Sequence, residues 1–64
     1  MTTAQIGQYI KARRQELGVN QQTLSDLCGV SINTILAVER GNGNPSLETL
    51  QRIVSTLGLE LDIH

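Results

Sequence analysis

Apolar residues recur along this chain at two spacings. Over most of its length the spacing is helical: Ile6, Ile10 and Leu17 make one stripe, Leu24 and Leu27 follow, then Ile35 and Val38, then Leu47, Leu50, Ile53, Val54 and Leu57. Residues that start or stop helices bound these stripes. Asn20, Ser31 and Ser46 can accept hydrogen bonds from the free N–H groups of a first turn, and Gly18, Gly29 and Gly58 stand where helices end. The pattern predicts helices over about 4–17, 21–28 and 32–40, a loop at Gly41-Asn42-Gly43-Asn44-Pro45, and a fourth helix opened by Ser46 and ended by Gly58. Beyond it the period falls to two, with Leu59, Leu61 and Ile63 alternating with Glu60, Asp62 and His64, which reads as a short strand with one apolar face. That strand has no partner within the chain. Pairing with the same segment of a second copy would give a homodimer, the alternative being a frayed terminus. Residues 1–58 are expected to form one helical domain and 59–64 a dimerising strand.

The stretch from Gln21 to Arg40 carries the functional signal. Gly29 sits where a tight turn needs no Cβ, and Leu24, Leu27, Val30, Ile35 and Val38 lie where two crossed helices would bury side chains, an arrangement that makes a helix-turn-helix. Along the second of these helices Ile35 and Val38 point one way, with Thr34 and Glu39 at the edges of that face, while Asn33, Leu36, Ala37 and Arg40 point the other. A free helical face behind a capped, N–H-rich start fits the major groove of DNA.

Composition narrows the choice. A chain of 64 residues with no Trp or Phe and one Tyr must build a small aliphatic core, and it has no aromatic platform for single-stranded bases. The lone Cys28 cannot form an internal disulfide and reads as a core thiol in preference to a redox sensor; no Cys or His stands at zinc-ligand spacing, and His64 receives no role. No apolar run approaches the ~20 residues of a membrane span and no signal-peptide pattern opens the chain, so a soluble cytoplasmic protein without a cofactor is expected. No nucleophile–base set and no phosphate-binding glycine loop followed by Lys is found, which argues against an enzyme. The formal net charge of −1 and pI near 5.6 sit uneasily with phosphate binding, but residues 1–40 carry +1 and residues 41–64 carry −2. Phosphate contacts would then rest on neutral donors such as Gln21, Ser31 and backbone N–H groups.

These residues closely resemble the lambda-repressor-like, or XRE, helix-turn-helix family. Its pattern Gln-x-x-Leu-x-x-x-x-Gly-Val-Ser-x-x-x-Ile-x-x-x-Glu is met at Gln21, Leu24, Gly29, Val30, Ser31, Ile35 and Glu39, and GNGNPSLETLQRIVSTLGL resembles the family's loop and fourth helix. The resemblance implies an all-α, four-helix domain, and the terminal strand in place of a fifth helix is similar to the HipB-like subgroup of antitoxin repressors, which dimerise through such strands and regulate their own operons. It implies that Gln21 touches a phosphate, that Ile32, Asn33, Leu36 and Ala37 face base edges, and that Arg40 lies by the backbone; Ser31 and Thr34, at the start of the same helix, complete the expected DNA-binding set. It also implies an ion pair between Arg14 and Glu39, against the alternative of Arg14 on phosphate. Ser25 replaces the family's usual alanine. Relatives often place polar side chains where this chain has Ile32, Leu36 and Ala37, so base reading by hydrogen bonds falls mainly on Asn33, with thymine methyls for the apolar strip. Leu36 can also be an ordinary exposed leucine, and Gln21 an ordinary solvent-facing helix residue. The expected function is a sequence-specific repressor on double-stranded DNA, autoregulatory, with a toxin protein as a further partner; the alternative is a protein-interaction module that neutralises such a toxin.

Overall fold

The computed structural model describes residues 2–58, which form four helices: α1 (Thr3–Glu16), α2 (Gln21–Cys28), α3 (Ile32–Glu39) and α4 (Leu47–Thr56). Each expected cap is in place. Asn20 Oδ1 accepts the Thr23 N–H at 2.7 Å, and the hydroxyls of Ser31 and Ser46 accept those of Thr34 and Thr49 at 3.3 and 3.1 Å. α1 starts one residue before its expected bound because Thr2 and Gln5 form a capping box, the Thr2 hydroxyl accepting the Gln5 N–H at 3.1 Å and the Gln5 side chain accepting the Thr2 N–H at 2.8 Å. α3 stops one residue short, at Glu39. Beyond it the Gly41 N–H donates to the Val38 carbonyl and the Asn42 N–H to the Ala37 carbonyl, a Schellman closure that turns the chain back alongside the helix.

The core is aliphatic, as the composition requires. Ile10, Leu24, Val30, Ile35, Val38, Ile53, Val54 and Leu57 are buried, with Ile6, Val19, Cys28 and Leu50 packed at its margin. α1 crosses α3, and α2 packs on both α3 and α4. The helix-turn-helix turn uses Gly29 at φ 72°, a left-handed conformation open to glycine, and the Ser25 hydroxyl straps it by donating to the Val30 carbonyl at 2.6 Å.

Three leucines expected on buried stripes are exposed. Leu27, placed in the helix crossing by its spacing, is 65% exposed. At about 100° per residue Cys28 lies ~40° to one side of Leu24 and Leu27 ~60° to the other, and the core is on the Cys28 side. Leu17 falls after the end of α1 as its C-cap, so the buried stripe of that helix runs through Gly7, Ile10 and Arg14. Leu47 is the first residue of α4, at its open end. Among the described residues all regular structure is helical, and no helix is long and apolar enough to cross a membrane. The strand read from Leu59, Leu61 and Ile63, with the dimer and the HipB-like resemblance that depend on it, lies outside the described residues.

Candidate nucleic-acid interface

α3 divides its residues between two sides. Ile35, Val38 and Glu39 are buried, Ser31, Asn33 and Arg40 are exposed, and Ile32, Thr34, Leu36 and Ala37 are half-buried. Glu39, at the edge of the core face, is buried with it. The eight candidate DNA contacts therefore all reach the surface, seven on or beside α3 and Gln21, half-buried, at the start of α2. Asn33 and Arg40 stand about two turns apart on the same side of the helix. At the start of α3 the hydroxyls of Ser31 and Thr34 share a hydrogen bond at 2.9 Å, while the N–H groups of Ile32 and Asn33, which no preceding turn can satisfy, open toward that end. The Schellman closure at the other end lays the loop beside the helix. Asn33, Thr34 and Ala37 face Asn42, Gly43 and Asn44 across a groove of about 310 Å³.

Behind this surface lies a buried ion pair. Arg14 Nε donates to Glu39 Oε2 at 2.8 Å and Arg14 Nη2 to Glu39 Oε1 at 3.0 Å, the two-pronged geometry in which a guanidinium matches a carboxylate. Arg14 Nη1 donates to the Val19 carbonyl at 2.9 Å, so one side chain ties α1 to the turn before α2 and to α3. The hydrogen bonds and charge of Glu39 raise the Arg14 pKa above its ordinary value against the opposing effect of burial, and Arg14 keeps its charge at any working pH. This geometry favours the ion-pair reading of Arg14 over the phosphate one.

The same carboxylate has a third donor, which the sequence pattern did not reveal. Gln21 Nε2 donates to Glu39 Oε1 at 3.2 Å, linking the first residue of α2 to the last of α3. The only trace of this contact in the sequence is that both residues are fixed points of the Gln-to-Glu pattern. Among the remaining cations, Arg13 donates to the Leu57 carbonyl and to Glu16, and Arg52 pairs with Glu48, whereas Lys11 and Arg40 pair with no described acidic residue. No group of His, Cys, Asp or Glu among the described residues could hold a metal ion.

Comparison with known proteins agrees with this geometry. Residues 10–64 match the family model HTH_3, described as helix-turn-helix. An uncharacterized HTH-type transcriptional regulator of Haemophilus influenzae is 44% identical over 50 residues, 78% of this chain and 51% of the relative. One of Methanothermobacter thermautotrophicus is 43% identical over 51 residues, 80% of this chain and 74% of the relative. The immunity repressor protein of Bacillus phage phi105 is 36% identical over 56 residues, 88% of this chain and 39% of the relative. The chain thus spans about half the length of the first of these, three quarters of the second and two fifths of the third. With the family match covering most of its length and two helices crossed about Gly29, the chain belongs to the XRE helix-turn-helix family.

Proposed function

We propose that this chain is a sequence-specific repressor that binds double-stranded DNA with α3 in the major groove. The observation that carries the reading is the outer face of α3, where exposed Asn33 stands among half-buried Ile32, Leu36 and Ala37 with exposed Arg40 at the far end. The names of the relatives as transcriptional regulators and a repressor support it. The Asn33 amide can give a donor and an acceptor to adenine, the apolar three can contact thymine methyls, and Thr34 borders them. Gln21, Ser31 and the N–H groups at the start of α3 serve phosphate, and Arg40 adds a cation.

Two copies, joined through Leu59, Leu61 and Ile63, would set their α3 helices in successive major grooves 34–36 Å apart and exclude polymerase from an overlapping promoter. Selection from a random duplex pool, followed by gel shift of the enriched DNA, tests this reading. The expected product is a pair of half-sites with adenine beside thymines, bound at least a thousandfold more tightly than random duplex. A pool without enrichment refutes it.

A further inference from the structure

The Gln21 side-chain amide is anchored through one N–H and has a second to offer. Its amide nitrogen gives one N–H to Glu39 Oε1, and a primary amide has two. The acceptor is itself buried and bonded: the Glu39 side chain is 3% exposed, and both of its oxygens accept from Arg14. Gln21 itself is half-buried at the first position of α2, where unsatisfied N–H groups already favour an anion. We propose that Glu39 is a positioning residue for DNA binding, holding the Gln21 amide so that its second N–H is presented to a phosphate oxygen of the duplex. The inference rests on the DNA-binding reading above. The rotamer freedom that a free glutamine would lose on contact is already lost in the unbound protein, and the carboxylate that orients Gln21 also fixes the start of α2 against the end of α3. A residue that touches no DNA thereby sets the register between the phosphate-contacting helix and the base-facing one.

The contact is to phosphate, so a random-sequence duplex of about 20 base pairs at low salt is a sufficient probe. Gln21→Ala should weaken binding about fivefold, the worth of one hydrogen bond, and leave the salt slope unchanged because a neutral amide displaces no counterion. The double variant Arg14→Met/Glu39→Met removes both buried charges together and so leaves neither uncompensated. It should lose the same factor of about five, and adding Gln21→Ala to it should cost nothing more. Full affinity in the double variant, or a further fivefold loss in the triple, overturns the proposal while leaving the DNA reading intact. A spectrum of the unaltered chain gives an answer that needs no variant to fold. Of the two Gln21 side-chain amide protons, one should be displaced by Glu39 and unmoved by DNA, and the other should move when duplex is added. Two protons that resonate like those of exposed Gln51 and shift together refute the anchoring. An unaltered chain that binds no duplex at all overturns both the inference and the function it rests on.

Discussion

Gly7 lies against the backbone carbonyl of Val38, so close that an added Cβ would overlap that oxygen and come within 3.1 Å of the Glu39 carbonyl oxygen. Neither obstacle is a flexible side chain, so α1 would have to lift from α3. Gly7→Ala should therefore destabilise the domain, because overpacking costs about 1–3 kcal/mol and alanine recovers only ~0.5–1 kcal/mol of helix propensity. A fall in Tm of roughly 4–8 °C per kcal/mol is expected, with exposed Gln8→Ala nearly neutral. Calorimetry of the two variants checks it; equal melting points would mean that α1 does not bear on α3.

The buried pair predicts different outcomes for one substitution and for two. Glu39→Ala leaves the Arg14 guanidinium uncompensated in the interior and should cost about 3–5 kcal/mol, whereas Arg14→Met/Glu39→Met should stay near the original stability. Urea unfolding of both decides between a buried pair and a solvated one.

Asn33 and Arg40 should fail differently. Asn33→Ala removes a base contact and should cost about 1–3 kcal/mol on the selected operator and little on random DNA. Arg40→Ala removes a phosphate contact and should weaken both, with the salt slope reduced by about one. Gel shifts over a range of salt separate the two, and equal losses on both DNAs for Asn33→Ala would remove it as a reader.

Deleting residues 59–64 should leave a helical monomer with weakened operator binding, since each half-site alone lacks the benefit of linkage. Sedimentation of both forms at several concentrations measures this. A full-length chain that stays monomeric, or a truncated one that dimerises as tightly, would exclude the tail as the interface.

Most of the fold was legible because its signals are local. Asn20, Ser31 and Ser46 each cap the helix that follows, and Gly29 turns where its position demanded it. The Thr2–Gln5 capping box is an equally local signal, and it sets the start of α1 one residue ahead of the bound that the apolar stripe suggests. Leu17, Leu27 and Leu47 show where periodicity stops being informative. Leu27 lies to one side of the buried centre of its short helix, and Leu17 and Leu47 fall at helix ends, where a leucine keeps its spacing while losing its cover. In the site, the exposure of Asn33 and Arg40 followed from helical geometry, but the Gln21–Glu39 bond joins residues 18 apart and depends on how two helices cross. No spacing rule reaches that far.

The caps also bear on how fast the chain reaches its fold. Every described helix has its own nucleation signal at its first turn, and short connections separate one helix from the next. The distant clasps, Arg14 to Glu39 across 25 residues and Arg13 to Leu57 across 44, therefore close between helices that are each primed at their own first turn. Small helical domains fold in microseconds to milliseconds. A chain emerging during synthesis would hide its aliphatic stripes almost as soon as α4 is available to cover them.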